Sequence, residues 1–121
     1  MKMTLQQAFN AAYIGVLAQG CKSTSDVEEG LYNDGKGNKC NIGHTMPEGT
    51  DVTDWNHRVV VELLEARHPS VAHLSGIDHS DLTEFQDCHD KTELGAAFIG
   101  RYTVNMEYFA RRRGLTIPPT N

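Results

Sequence analysis

Two pairs of soft ligands stand in this chain: Cys40 with His44 four positions on, and the adjacent Cys88 and His89. Four such donors could hold a zinc ion tetrahedrally, with Asp90 orienting the His89 ring from behind. Neither pair has the spacing of a known zinc module, and neighbours such as Cys88 and His89 point to different faces of a helix. Buried thiols and hydrogen-bonding histidines are the first expectation, and no cofactor is expected. Cys40, His44, Cys88 and His89 are the set to test for metal. Cys40 with His44 or His89 would alternatively make a thiolate and base. A cysteine on a short strand is more often buried than reactive, and no catalytic residue is assigned. Gly35, Gly37 and Gly43 form neither a GxxxxGK[ST] nor a GxGxxG phosphate loop.

A third constellation lies near the C-terminus. Arg101 and Asn105 stand one helical turn apart within a stretch whose apolar positions cover a wide arc. A charge there needs a partner, with Asp90 the first to consider, or it lines a pocket for an anion. The candidate ligand set is Arg101, Asn105, His89, Asp90 and Tyr32. A fourth is the ladder Asp78, Asp81, Glu84, Asp87, Asp90 and Glu93, at every third position with only Lys91 between. On a helix these acids sweep across about half the circumference, opposite Leu82, Phe85 and His89. They read as a wet acidic face, with Asp81, Glu84 and Asp87 as a surface for a basic partner.

Helices must position these groups. Thr4 with Gln7 is a capping-box pattern, Leu5 to Leu17 keep helical spacing, and Gly20 is a natural stop. A second helix is predicted from about Asp54 to Arg67, ended by Pro69, with a short turn in residues 70–76. Ser80 would cap a third helix, and Thr92 a fourth running to Arg113 and Gly114. Between the first two helices, Gly30 to His44 reads as a β-hairpin. Leu31–Tyr32 and Cys40–Ile42 are its arms, with Asp34-Gly35 and Gly37-Asn38 as turn dipeptides. The fold class is mainly α (α+β), about four helices with a small hairpin packed on them. Residues 1–116 form one domain and 117–121 a loose tail.

The 121 residues suffice for one core, and 39% apolar with 22% charged residues is ordinary for a soluble globular chain. Net charge is −5, which argues against direct nucleic-acid binding. No signal peptide or membrane-length apolar run is present, so a cytoplasmic protein with no membrane partner follows by default. The three cysteines are read as thiols.

Leu17 to Gly20, Tyr32, Gly37, Lys39, Cys40 and Gly43, then Gln86, His89 and Asp90, then Gly114 and Leu115, carry a family likeness. The chain resembles a group of small uncharacterised proteins of tailed bacteriophages and prophages. Gly30 and His44 stand where that group tends to have cysteines, so no zinc or disulfide set is carried over. The resemblance implies a phage-type accessory protein in the bacterial host cytoplasm, binding and modulating a host protein, such as one of defence. A non-catalytic binding protein is therefore the first expectation. The alternatives are a small-ligand protein for an anionic metabolite or nucleotide, by sequestration or weak hydrolysis, and a zinc-stabilised interaction module.

Overall fold

The computed structural model describes residues 2–24 and 30–119. The expected irregular segment 21–29 therefore lies partly outside them, as do the first residue and the end of the tail. The protein is mainly helical. Helix α1 spans Leu5–Gln19, α2 Val60–Glu65, α3 His79–Asp90 and α4 Phe98–Arg113, with 3-10 turns at Gly43–Thr45 and Pro69–Leu74.

Helix α1 begins as its sequence dictates. The Thr4 hydroxyl accepts the Gln7 N–H at 3.1 Å, and the Gln7 side chain accepts the Thr4 N–H at 2.9 Å. Gly20 ends it at φ 78°, a left-handed conformation that costs glycine nothing. Its inner face buries Ala8, Phe9, Ala12, Tyr13 and Val16. Phe9 lies against Phe109 of α4, and Phe109 against Phe85 of α3, with centroids 6.4 and 6.0 Å apart. These rings join three helices in one core.

Three boundaries differ from the sequence reading. Helix α2 starts at Val60 rather than near Asp54. Trp55 sits instead in successive turns, its N–H donating to Val52 O and its carbonyl accepting from Arg58 N–H. It is buried beside Tyr32 and His68. Helix α3 is capped by Asp78, whose carboxylate accepts the N–H groups of Ser80 and Asp81 at 2.9 and 3.3 Å. Helix α4 starts at Phe98, not after Thr92, because Gly95 takes φ 128° in an intervening loop.

The expected β-hairpin is absent. Among the described residues there is no sheet, and Thr24 and Gly30 form only an isolated antiparallel bridge. The turn chemistry is present without the ladder. The Asp34 carboxylate accepts the N–H groups of Lys36 and Asn38 at 2.8 and 3.1 Å and the Asn38 amide at 2.9 Å, curling the loop onto itself. Cys40 to Met46 then winds as helical turns, His44 N–H donating to Cys40 O. Gly43 lies so close to the Tyr32 carbonyl that a Cβ there would collide with it. The whole segment is a strap laid over the helices.

The C-terminal segment turns back on α1. Gln6 exchanges two hydrogen bonds with the Thr116 backbone, both at 2.9 Å. No helix among the described residues is long and apolar enough to cross a membrane.

Candidate functional site

The strap owes its position to polar side chains on α3. Gln86 donates to the Cys40 thiol at 2.9 Å and accepts the Ile42 N–H at 3.0 Å. His89 is fully buried, and its Nε2 lies 3.1 Å from the Ser23 N–H. A backbone N–H can only donate, so Nε2 carries the lone pair and Nδ1 the proton. That proton points at Asp90 Oδ1, 2.7 Å away. Gly30 packs against the same carboxylate so closely that any Cβ would strike it. The Gln-x-x-His-Asp residues therefore act together: Gln86 holds Cys40 and Ile42, His89 holds the Ser23 backbone, and Asp90 packs against Gly30.

Other polar groups complete the clasp. Lys22 is buried, and its ammonium donates to the carbonyls of Asp90 and Thr92, both at 2.8 Å, where α3 ends. Asn41 is wholly buried; its amide donates to Phe85 O at 2.6 Å and its oxygen accepts the Tyr102 hydroxyl at 2.6 Å. His44 packs flat on Gly15, which has no side chain to obstruct it, and bonds the Gln19 amide oxygen at 2.8 Å. His73 bonds the Thr45 hydroxyl at 2.9 Å. Among the described residues no buried side-chain nitrogen or oxygen lacks a partner.

This arrangement removes the reactive chemistry. Burial, and then the Asp90 carboxylate, push the Cys40 thiol up to about 12. Burial, and then the Asp87 carboxylate, do the same for Cys88, also to about 12. Neither is a thiolate at neutral pH. Burial lowers His44 to about 4, with the Lys39 charge adding to it. The zinc set also fails to converge. His44 faces Gln19, His89 faces Ser23, Cys40 faces Gln86, and Cys88 faces the Asn105 carbonyl. No three metal-binding side chains come together among the described residues. Cys40, His44, Cys88 and His89 thus stand at four separate contacts rather than around one point.

The anion pocket is likewise not assembled. Arg101 is exposed and pairs with Glu93 at 3.5 Å, not with Asp90. Asn105 donates to the Thr92 hydroxyl at 2.9 Å. Both line a shallow depression at the start of α4, whereas Tyr32 and Asp90 line a cleft beside α3 and His89 lies buried behind it. The wide apolar arc expected on α4 is also narrower. Phe98, Tyr102, Met106 and Phe109 are buried, while Val104 and Tyr108 stand exposed.

The cleft gathers the rest. It encloses about 180 Å³ between residues 56–59 with the start of α2, α3 and the strap, and Tyr32, Val60, Asp87 and Asp90 are among its lining residues. The Tyr32 hydroxyl donates to Arg58 O at 2.6 Å, which fixes the ring, and burial raises its proton's hold well above the ordinary tyrosine value. Two steps of the acidic ladder are already engaged elsewhere. Asp81 bonds Arg113 at 3.2 Å, and Glu84 meets both Arg112, at 3.2 Å, and Arg113. Asp87 is half-buried and pairs with Lys91, four residues on, at 3.3 Å.

No family model, curated protein or solved structure matches this chain.

Sequence reasoning missed Ser23, Lys22 and Asn41 as members of the clasp. Asn41 carried a readable signal, an amide between Cys40 and Ile42 in an apolar stretch. Lys22 and Ser23 carried none, because their partners lie at residues 89–92.

Proposed function

We propose that this chain is a phage-type accessory protein that binds and modulates a bacterial host protein, such as one of defence, in the cytoplasm, and performs no catalysis. The observation that carries the non-catalytic part is the clasp. Cys40, His44, Gln86 and His89, the groups that could act as nucleophile, base or ligand around the strap, are each held in a hydrogen bond that fixes the strap or the Ser23 backbone before it. The phage part rests on the quoted likeness, whose most specific residues are those of the clasp.

The cleft beside α3 is the contact site this reading favours. Val59 is 59% exposed at its edge, Tyr32 and Val60 form an apolar interior, and Asp87 and Asp90 supply negative charge. A partner segment with one apolar side chain and an adjacent lysine or arginine satisfies both features. The encounter is then salt-sensitive.

A pull-down from bacterial lysate with wild type, Val59→Ser and Asp87→Lys tests this. Val59 is exposed and Asp87 is half-buried with a surface ion pair to Lys91, so melting temperature should hold in Val59→Ser and fall only slightly in Asp87→Lys. The expected result is one partner captured by wild type, lost roughly tenfold or more in each variant and weakened by added salt. Capture that is indifferent to salt and to both substitutions would contradict the reading.

A further inference from the structure

Helix α2 ends on an arginine in a position that favours glycine. The Arg67 N–H donates to Leu64 O at 3.0 Å and the His68 N–H to Leu63 O at 2.9 Å, the paired bonds that close a helix through a left-handed residue. That residue is Arg67, at φ 55°, and no other non-glycine among the described residues has a positive φ. Glycine takes this conformation without strain, so the turn itself gives no reason for an arginine. The Arg67 side chain is exposed, and its guanidinium has no hydrogen-bond or ion-pair partner among the described residues.

His68, the next residue, is a donor held in place. Its Nδ1 accepts the Ser70 N–H at 3.2 Å, so the proton sits on Nε2. The Trp55 ring packs against the imidazole with centroids 5.0 Å apart. Nε2 has no partner among the described residues, and no buried side-chain nitrogen there goes unpaired, so the Nε2–H group is open to solvent. Arg67 and His68 line one pocket of about 390 Å³ together with Leu64, Ala72, Ser75 and His79. Its polar groups come from the end of α2, the residue after the 3-10 turn Pro69–Leu74, and the first residue of α3. None of its lining residues is acidic, in a chain of net charge −5. Glu65 and Asp78 are near in sequence but do not line it, and the Asp78 carboxylate is taken up in capping α3.

We propose that this pocket binds a phosphate group, either free or carried as the monoester of a small metabolite. The Arg67 fork takes two oxygens of such an anion, and the His68 Nε2–H and the Ser75 hydroxyl are donors for the others. Donors drawn from three elements suit a tetrahedral anion, whereas a planar carboxylate uses the fork and leaves the rest unmet. The pocket volume is in the range of small-molecule sites, and Leu64 and Ala72 add an apolar wall for the organic part of an ester. No residue of this pocket lines the cleft beside α3, so the phosphate site and the host contact stand or fall separately.

Titration of the whole chain with inorganic phosphate, glycerol phosphate and acetate, at fixed pH and ionic strength, tests the site. Amide NMR shifts of Arg67, His68 and Ser70 read it directly. Fluorescence reads it again, because Trp55 is the chain's one tryptophan and lies against His68. The expected result is saturable binding of phosphate with a millimolar or tighter Kd, and acetate weaker by roughly tenfold. Tighter binding of glycerol phosphate assigns the site to monoesters and equal binding assigns it to free phosphate; either upholds the phosphate site. Arg67→Gly should weaken binding roughly tenfold or more with the melting temperature unchanged, since glycine suits the left-handed backbone. Arg67→Lys, which keeps the charge without the fork, should weaken it by a smaller factor. Arg111→Ala, at a surface arginine outside the pocket, should leave it unchanged. Shifts that do not saturate, that acetate matches, or that persist in Arg67→Gly overturn the proposal, as does an equal loss in Arg111→Ala.

Discussion

A histidine whose Nε2 accepts a backbone N–H has spent the lone pair that a base or metal ligand would need. His89 is in that position, and Asp90 holds its other nitrogen. Gly30 shows how tightly the same carboxylate is enclosed. Gly30→Ala should destabilise the fold by about 1–3 kcal/mol, read as a drop in melting temperature, because Asp90 cannot move aside without releasing His89. An unchanged melting temperature would show that the carboxylate is free to swing. His44 supplies a pH dependence. Its folded value of about 4 lies below its ordinary 6.5, so the unfolded chain takes up the proton first. Its contribution is complete above pH 6.5 and is lost as pH falls from 6.5 towards 4. His73, lowered mainly by burial, acts in the same direction. Melting temperature should therefore fall across that window, and less steeply in His44→Gln. At this scale the sequence was informative about identity and silent about contact. Cys40, His89 and Asp90 stood out by type. That they meet Gln86, Ser23 and Gly30 depends on chain segments 46, 66 and 60 positions apart, which no local pattern encodes.

The helices obey their end signals unevenly. The capping box at Thr4 and the glycine stops at Gly20 and Gly114 were legible because each is a local hydrogen-bond or backbone requirement. The start of α3 was misplaced by two residues because Ser80 and Asp78 both suit an N-cap. Asp78 wins, its carboxylate reaching two N–H groups, and the Ser80 hydroxyl donates to it. Asp78→Ala should cost about 1 kcal/mol of stability and Ser80→Ala clearly less, as measured by denaturant unfolding. Equal costs would contradict that assignment. The hairpin failed for a reason of the same kind. Asp34-Gly35 and Gly37-Asn38 do turn the chain, but the Asp34 carboxylate satisfies the backbone that a ladder would have used. The Cys40–Ile42 arm is then held by α3, and the Leu31–Tyr32 arm by Ser23 and Arg58, rather than by each other.

Over the whole molecule, the acidic face of α3 and the basic end of α4 largely answer one another. Arg113 is the pivotal cation. It is 15% exposed, stacks 4.5 Å from the Phe109 ring centroid, and bonds Asp81 and Glu84. Arg113→Ala should lower stability by about 1–2 kcal/mol, whereas Arg111→Ala, whose pair with Glu107 is exposed at 3.8 Å, should change it by less than about 0.5 kcal/mol. The acidity of α3 was legible in the sequence, but its neutralisation was not, since residues 81–84 and 112–113 meet only in the folded chain. The central claim is that α3 clasps an irregular strap whose candidate chemistry is structural. Amide hydrogen exchange by NMR tests it most directly, because the Ser23 and Ile42 N–H groups have no ladder or helix to protect them and bond only to His89 and Gln86. The account requires both amides to exchange as slowly as those in the buried middle of α4, such as Tyr102. Exchange as fast as that of exposed Gly37 would contradict it.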